Sequence, residues 1–515
     1  MNGRRPSLLS GLALLVSVQL CAGTSALGQN VTQFHNDLAR SGAYVVPGLN
    51  YKTAALMAPS VGYKPVQISG SVAVQPLYWQ PASGHPQIIT ATMNANIYAL
   101  DAITGAVVWE QSLGTPFTHS NATCLTSRSD TAMGIFGTPA IDSNGILYVN
   151  ASLQNGNSAQ HEIYALNLAN GGAVVPGWPV APGALISGFQ DQLLSQHSAV
   201  LVFQGQAYFT YGSIWGDCKT FEGLVVAVNT SNPEQVTSFS PLAPFRGKTN
   251  SSAAGAGIWG ESGVISDGTN IYVASGNAKN ANGIYSGGDS IFRLQPNLSF
   301  SGKSADYFAP ASFAALDKGD LDLGSGGPNL VPVEGGKTYL FAAGKAGVAY
   351  LVPQNLGGVG GSNTSVQIVD NPGEITVAPA ILTTPKGTYV VVSTDGSVAP
   401  QGALGCPAGS PVGSTVETLF VTPGPHVQVV WCAAVPYGAG AGSPIITTSD
   451  GASNPIAWVI GATGDNNLYG FNLATGQQLV KRYVGGPTLS RVTPIVAGGR
   501  MYIASPGSKI FSFSW

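Results

Sequence analysis

The sequence has very little charge and few cysteines. Only 9% of its 515 residues are charged, against roughly 25% in an ordinary globular chain. The formal net charge of −3 gives no electrostatic basis for binding nucleic acid or an anionic membrane surface. No Cys-x-x-Cys-His motif is present, which excludes covalently attached haem, and the six His residues show no metal-ligand spacing. Gly is abundant, with 68 residues, and together with Ser, Thr and Asn it indicates an all-β protein with many turns.

A long apolar run occurs only at the start of the chain. Arg4 and Arg5 precede an apolar segment over residues 8–20, and Ala26-Leu27-Gly28 follows it. The segment is too short to span a bilayer, and its charged and small flanks are typical of a secretory signal peptide. We therefore predict a signal peptide over 1–28, one domain over 29–515, no membrane span, and export to the periplasm or the cell exterior.

The cysteines that follow this segment number four: Cys124, Cys218, Cys406 and Cys432. An even number in an oxidising compartment argues for two disulfides. We favour Cys406–Cys432, which would close an insertion within one repeat, and Cys124–Cys218 across neighbouring loops. The other two pairings stay open.

Internal repeats predict the fold. The segment Ile97-Tyr-Ala-Leu-Asp-Ala-Ile-Thr-Gly recurs, with changes, at 163–171 and 468–476, and each copy is a strand followed by a hairpin turn. A second strand, marked by a large apolar residue, identifies eight units: Ile88, Tyr148, Tyr208, Tyr272, Tyr339, Tyr389, Trp458 and Tyr502. Four strands of about five or six residues fit each unit. We predict an eight-bladed β-propeller of four-stranded antiparallel blades; a seven-bladed ring, with the weak repeat near Tyr389 merged, is the alternative.

The ring must also be closed, because an open sheet edge invites aggregation. The last repeat, 492–515, provides three strands, and Val61–Ile68 has no inner partner strand. We therefore predict that Val61–Ile68 is the outermost strand of the last blade, so that the N- and C-terminal segments pair.

Residues 257–328 contain most of the side chains suited to chemistry. The stretch begins with Gly-Ile-Trp259-Gly, a strand then delivers Gly-Asn277, and Asp320-Leu-Asp322-Leu-Gly-Ser-Gly-Gly follows. Lys345 comes next, in Gly-Lys-Ala-Gly-Val-Ala-Tyr. These positions are strand ends and loops, where rigid scaffolds place functional residues. Turn-forming or core-packing roles would explain each residue taken singly.

In this order and spacing, the residues resemble the eight-bladed quinoprotein propellers, which include the alcohol dehydrogenases that depend on pyrroloquinoline quinone (PQQ). The segment Phe34-His-Asn-Asp-Leu-Ala-Arg-Ser-Gly42 is similar to a secreted bacterial group of PQQ-like propellers. The resemblance implies that Trp259 forms the floor under PQQ. It also implies that Lys345 faces the quinone's carbonyl oxygens and that Asp320 is the catalytic base.

The resemblance further implies a calcium or lanthanide ion. Asn277 would be one ligand and Asp322 a second, since hard cations prefer oxygen donors. The family's metal-binding Glu corresponds to the loop 216–223, which offers Asp217 or Glu222 in its place. The reaction implied is oxidation of a small alcohol or polyol.

Two departures from the family keep other functions open. The chain has no adjacent pair of cysteines and no haem domain, so an enzyme would need an external electron acceptor. Propellers of this kind also act as non-catalytic platforms for protein partners, as in the outer-membrane β-barrel assembly lipoprotein. A polymer- or carbohydrate-binding surface is a third class. In an enzyme the candidate residues should converge at one mouth of the central channel; in a platform they should be scattered or plugged.

Overall fold

The computed structural model describes residues 30–118, 131–214, 217, 219–246, 252–333, 335–361, 366–369, 373–394, 405–436, 442–461, 464–486, 492–505 and 507–515. They form an eight-bladed β-propeller of four-stranded antiparallel blades, with only 6% helix. The predicted fold and number of blades are therefore confirmed. The predicted signal peptide lies outside the described residues.

In blades one to four the strands follow one another in chain order from the centre of the ring outwards. Blade one contains Leu77–Trp79, Gln87–Ala91, Asn96–Asp101 and Val107–Ser112. Blade two contains Ala140–Ile141, Ile146–Asn155, Ser158–Asn167 and Ala173–Val174. Blade three contains Leu201–Phe203, Gln206–Ser213, Leu224–Asn229 and Val236–Phe239. Blade four contains Ile265–Ser266, Ile271–Ala274, Ile291–Leu294 and Tyr307–Ala309.

Blades five to eight are built in the same way. Blade five contains Pro328–Val333, Lys337–Ala343, Val348–Pro353 and Val366–Val369. Blade six contains Ala380–Thr384, Gly387–Ser393, Val416–Thr422 and His426–Ala433. Blade seven contains Ile445–Thr448, Ile456–Ile460, Asn467–Asn472 and Gln478–Tyr483. Blade eight contains Ile495–Ala497, Arg500–Ser505, Lys509–Ser514 and, outermost, Ala58–Pro59 from the start of the chain.

A few short elements lie outside this pattern. The additional strands are Ala43–Val45, Leu194–Ser195, Ala254–Gly255, Ala278–Lys279 and Gly358–Val359. The α-helices are Tyr51–Ala54, Pro182–Leu185 and Phe313–Gly319, and the 3₁₀ turns are Leu168–Asn170, Ala243–Phe245, Ser304–Asp306 and Leu323–Gly326. None of the helices in the described part of the chain is long and apolar enough to cross a membrane.

The core lies between neighbouring blades, and the repeats explain why. Stacked blades cover both faces of the second strands, so all four residues of Ile271–Ala274 are buried. The aromatic residues that mark the repeats fill these layers: Tyr208, Tyr272 and Trp458 are 0% exposed. Burial of so much apolar area is the main stabilising term in such a ring.

The position of the closing strand was predicted wrongly. Ala58–Pro59, not Val61–Ile68, pairs with the strand Lys509–Ser514 of blade eight, with Ala58 opposite Ser514. Val61–Ile68 forms no strand and is tied to that blade by a hydrogen bond from Ile68 N to Ser508 O (2.9 Å). Pro65 has no N–H to donate, and Gly62 has a positive φ of 80°, so both break a strand. The N- and C-terminal segments nevertheless pair to close the ring, through a strand that lies just before Val61 in the sequence.

The segment before the first blade ties the innermost strands together. Its backbone bonds to blade one at Tyr78, blade two at Ile141, blade four at Ser266 and blade six at Ile381. Its strand Ala43–Val45 then lies parallel to the innermost strand of blade seven.

Arg40 supplies two further links in this segment. It donates through Nη2 to Val200 O of blade three (2.8 Å), and its own carbonyl accepts from Nδ2 of Asn329 of blade five (3.0 Å). These hydrogen bonds therefore join the segment to blades one to seven, and its strand Ala58–Pro59 pairs with blade eight at the outer edge.

One of the two predicted disulfides can be compared with the structure. Cys406 and Cys432 are bonded, with Cα atoms 5.7 Å apart, which confirms the pairing. The second, Cys124–Cys218, lies outside the described residues and stays a prediction.

Candidate functional site

Five of the predicted site residues come from matching positions of blades four and five. Trp259 precedes the innermost strand of blade four, and Asn277 follows its second strand. Asp320 and Asp322 precede the innermost strand of blade five, and Lys345 follows its second strand. In an antiparallel blade, the start of the first strand and the end of the second lie at the same end. The fold therefore brings all five side chains to one end of two neighbouring blades.

The Asn277 amide connects the two blades. Its backbone N–H donates to Oδ1 of Asp322 at 2.8 Å, and its Nδ2 donates to Oδ1 of Asp320 at 2.8 Å. Oδ1 of Asn277 is buried and has no hydrogen-bond partner among the described residues. A buried acceptor without a donor is costly, so it marks a place where a ligand atom would be stabilising.

The backbone beside Asn277 requires glycine. A Cβ atom at Gly276 would overlap Oδ1 of Asp322, and one at Gly344 would overlap the Asp322 carbonyl oxygen. Both glycines allow the two loops to approach closely. Glycine thus precedes Asn277 and Lys345 in the sequence for the same reason, namely the close approach of the loop that carries Asp322.

Asp320 and Asp322 differ in exposure although they are close in sequence. Asp320 ends the helix Phe313–Gly319 in a left-handed conformation, with φ of 55°, and its side chain is 70% exposed. The side chain of Asp322 is only 9% exposed. It forms an ion pair with Lys345, whose Nζ lies 2.6 Å from Oδ2 of Asp322. Lys345 Nζ is also 3.7 Å from Oδ2 of Asp320. The Lys345 ammonium group therefore lies within ion-pair distance of both carboxylates, Asp320 and Asp322.

The same ammonium lies over the ring of Trp259, with Nζ 5.3 Å from the ring centroid. Such a cation–π contact is worth about 0.5–2 kcal/mol, depending on how far the cation is desolvated. The Trp259 side chain packs closely on Gly212 of blade three, where a Cβ atom would come within 3.0 Å of Trp259 Cβ. The Trp259 side chain is thus contacted by blade three and by Lys345.

Burial and charge act in opposite directions in this cluster. Burial raises the pKa of Asp322 above its ordinary value, although the Lys345 ammonium opposes the shift. Burial lowers the pKa of Lys345, but the carboxylates of Asp322 and Asp320 outweigh it, and the net pKa is raised. Lys345 is therefore firmly cationic, and it provides the positive charge that lets Asp322 ionise in a buried position.

The sixth predicted residue, Asp217, has different partners. Its Oδ2 lies 3.2 Å from Nζ of Lys279, which also donates to the Asp217 carbonyl oxygen at 2.9 Å. Glu222, the other candidate, binds Arg246 and Ser240. Among the described residues, no hydrogen bond or ion pair links Asp217 to Asn277. The sequence could not show this, because Lys279 and Asp217 meet only through folding.

Two aspartates behind the site were not singled out from the sequence. Asp317 accepts a hydrogen bond from Ala278 N at 2.6 Å, and Asp289 accepts one from Leu323 N at 2.8 Å. Burial raises the pKa of Asp317 to about 6 and that of Asp289 well above its ordinary value. Asp317 lies one helical turn before Asp320, which was the only available signal; Asp289 carried none.

Metal-binding capacity in this part of the chain rests on oxygen atoms. Within the described ranges, no group of three or more His, Cys, Asp or Glu side chains is arranged to hold a metal ion. Asn277 is not of these residue types, and its unpartnered Oδ1 lies beside a loop that carries two carboxylates. This set matches the preference of calcium and lanthanide ions for oxygen ligands.

Comparison with known proteins agrees with the resemblance seen in the sequence. Residues 80–209 match the family described as outer membrane protein assembly factor BamB. The quinohemoprotein alcohol dehydrogenase of Comamonas testosteroni has a similar structure, with a TM-score of 0.65 and 15% identity, over 94% of this chain and 80% of that one. The fold is that of the quinoprotein propellers.

Two further structures show how widely this fold is used. A europium-containing methanol dehydrogenase is similar with a TM-score of 0.60 and 15% identity, over 94% of this chain and 98% of that chain. BamB of Moraxella catarrhalis is similar with a TM-score of 0.51 and 12% identity, over 89% of this chain and all, 100%, of that one. No curated protein sequence matches the chain. Identities this low establish the fold and leave the function to the site.

Proposed function

We propose that this chain is a quinoprotein dehydrogenase that binds PQQ above Trp259 and oxidises a small alcohol or polyol. The observation that carries the proposal is the convergence of Trp259, Asn277, Asp320 and Lys345, which come from four separate connections of two blades. Turn or core roles for each residue would not require that they meet. The dehydrogenases with a similar fold support the same interpretation.

The side chains fit the groups that such an enzyme needs. Asn277 Oδ1, with no donor among the described residues, and the carboxylate of Asp322 would hold a calcium or lanthanide ion. Trp259 offers a flat ring for stacking, and Lys345 offers a positive charge beside it. When bound, the metal would supply a Lewis acid and the quinone a two-electron acceptor.

Asp320 is the residue suited to accept the hydroxyl proton of the alcohol. Its side chain is 70% exposed and can reach a substrate. The hydrogen bond from Asn277 Nδ2 to Oδ1 fixes its orientation, and Nζ of Lys345 lies 3.7 Å from Oδ2. A positioned carboxylate of this kind is the usual general base in such a reaction. Electrons would leave through an external acceptor, and we expect the mature protein to work outside the cytoplasm.

The first test is cofactor uptake by the purified mature protein. PQQ and calcium, or a lanthanide, are added and the absorbance spectrum of the bound quinone is recorded. In protein that binds PQQ, Asp320→Asn should lower dehydrogenase activity by ~10²-fold or more while binding is retained, which is the usual scale of a lost general base.

Asp450→Asn is the matched control for that variant. Asp450 is an exposed aspartate whose Oδ1 accepts from two backbone N–H groups of a turn, and asparagine keeps that acceptor. Its activity should equal that of the wild type. If the wild-type protein takes up neither PQQ nor metal at millimolar supply, the catalytic proposal fails.

The second candidate function is a non-catalytic platform for a protein partner. The match of residues 80–209 to the BamB family favours it, because that family is described as an assembly factor. A platform would not need the ion-paired cluster at blades four and five. Asp320→Asn should then leave partner capture unchanged, whereas an enzyme would lose activity.

A further inference from the structure

A pair of aspartates lies directly behind the candidate site. Asp289 is 0% exposed, and its carboxyl group is within hydrogen-bonding reach of the Asp317 carboxyl group. Oδ1 of Asp289 accepts the Leu323 N–H at 2.8 Å. Its Oδ2 has no hydrogen-bond donor among the described residues. Neither residue has a part in the proposed reaction.

Each member of the pair binds the backbone next to a site residue. Asp317 Oδ1 accepts the N–H of Ala278, which directly follows Asn277, at 2.6 Å. The N–H of Leu323, bound by Asp289, directly follows Asp322. The backbone of Asp289 also donates to Gly276 O, on the other side of Asn277, at 2.9 Å. The pair thus connects both loops that carry the proposed metal ligands.

One shared proton accounts for this arrangement. Asp289 is buried and Asp317 is half-buried, so two carboxylates in contact here resist ionising together because water screens their repulsion poorly. A proton held between them would give Oδ2 of Asp289 the partner that it lacks. The raised pKa values of both groups have the same origin in burial.

We propose that Asp289 and Asp317 are positioning residues: joined by one proton, they hold the Asn277 loop and the Asp322 loop at the separation that the site requires. The ligand that the loops bind depends on the proposed function, whereas the positioning of the loops by Asp289 and Asp317 does not. Residues that orient metal ligands from behind commonly change metal affinity by about 10–100-fold when they are replaced.

Substitution of Asp289 or Asp317 by asparagine or by leucine distinguishes a shared proton from a role in packing alone. Asp289→Asn and Asp317→Asn each keep an oxygen acceptor for the backbone and place an amide N–H where the proton lies. Asp289→Leu and Asp317→Leu remove both functions at similar volume. Asp267→Leu is the control, because Asp267 accepts from Thr269 N and Asn270 N in a hairpin of the same blade, away from the site loops.

Two measurements are made on every variant in the full chain. Hydrogen exchange by mass spectrometry follows peptides that contain the Ala278 and Leu323 amides, and luminescence of added terbium, excited through tryptophan, follows metal binding near Trp259. The asparagine variants should stay within about threefold of the wild type in both measurements. The leucine variants should exchange both amides at least ~10-fold faster and bind terbium at least ~10-fold more weakly, and Asp267→Leu should do neither.

Two outcomes would overturn the inference. The first is that both leucine variants leave both amides protected. The second is that Asp289→Asn releases them as fully as Asp289→Leu, which would mean that the loops are held by the negative charge of Asp289 on the backbone N–H and not by a shared proton. A wild-type protein that binds no terbium contradicts the proposed metal site alone, since the exchange data still decide whether the pair holds the loops.

Discussion

Lys345 Nζ lies 2.6 Å from Oδ2 of Asp322 in an ion pair whose side chains are only 19% and 9% exposed. A second pair of the same kind, Lys279 with Asp217, has a distance of 3.2 Å, and its side chains are 35% and 34% exposed. Both ammonium groups also lie over an aromatic ring, Trp259 and Phe221 respectively. The more exposed pair, Lys279 with Asp217, can therefore serve as a control for the buried pair, Lys345 with Asp322.

Lys345→Met should destabilise the protein strongly, because it leaves the Asp322 carboxylate buried without a counter-charge. Breaking a buried pair from one side costs about 3–5 kcal/mol. Lys279→Met should cost about 0–1 kcal/mol, as is usual for exposed pairs. Guanidinium unfolding of both variants measures the difference. Equal losses would show that the Asp322 charge is solvated or already neutral.

The pH dependence of stability should report the carboxyl pair of Asp289 and Asp317. Burial raises the pKa of Asp317 from its ordinary 3.8 to about 6. The folded protein thus holds this proton more tightly than the unfolded chain. Its contribution to stability is complete below about pH 4 and is lost as the pH rises through about 6. The difference in melting temperature between wild type and Asp317→Asn should therefore decrease over that window.

Asp450→Asn is the control for this trend. Asp450 is fully exposed, and the backbone N–H groups of Ser453 and Ala452 lower its pKa. Because the pKa of Asp450 is lowered and not raised, its ionisation changes stability in the opposite direction. The contribution of Asp450 to stability is lost only as the pH falls below about 4. Its difference from wild type should be flat between about pH 4 and 7. A parallel trend in both variants would assign the effect to the net charge of the protein.

The ring and the meeting of the candidate site residues could be predicted from the sequence because both follow local patterns. Strand–turn repeats gave the blade count, and strand ends gave Trp259, Asn277 and Lys345. The closing strand was not predicted because only two of its residues pair, Ala58 and Pro59. Two residues are too few to show the alternation of apolar and polar side chains that identifies a strand.

The contacts that were missed are those that depend on distant parts of the chain. Asp289 meets Leu323 across 34 positions, and Asp317 meets Ala278 across 39. No spacing rule predicts such pairs, because the side chains come together only after two blades stack. The links of the segment before the first blade, such as Arg40 to Val200 across 160 positions, are of the same kind.

The disulfide should be a major stabilising element of blade six. Cys406 and Cys432 are separated by 26 positions, and closing a loop of that size is worth about 3 kcal/mol in the chain-entropy account. Cys406→Ser and the double variant with Cys432→Ser should lose equal amounts in thermal or guanidinium unfolding. A loss below about 1 kcal/mol would indicate that the reduced loop is already held by the strands that flank it.

Arg40→Met should weaken the ring at its centre. The Arg40 side chain is fully buried and donates to Phe34 O at 2.9 Å and Val200 O at 2.8 Å. Burial lowers the pKa of Arg40 only to about 10, so the group stays charged at neutral pH. Methionine keeps much of the volume but leaves both carbonyls without this donor, at about 1–3 kcal/mol each.

The comparison for Arg40→Met is Arg482→Met. Arg482 also donates to two carbonyls of the segment before the first blade, Ala55 O at 2.7 Å and Met57 O at 2.8 Å, but it is only half-buried. Water can replace the lost donor there, so the cost should stay below about 1 kcal/mol. Limited proteolysis should cut residues 31–46 sooner in Arg40→Met than in Arg482→Met. Equal rates would mean that the backbone bonds to the blades hold this segment without the guanidinium.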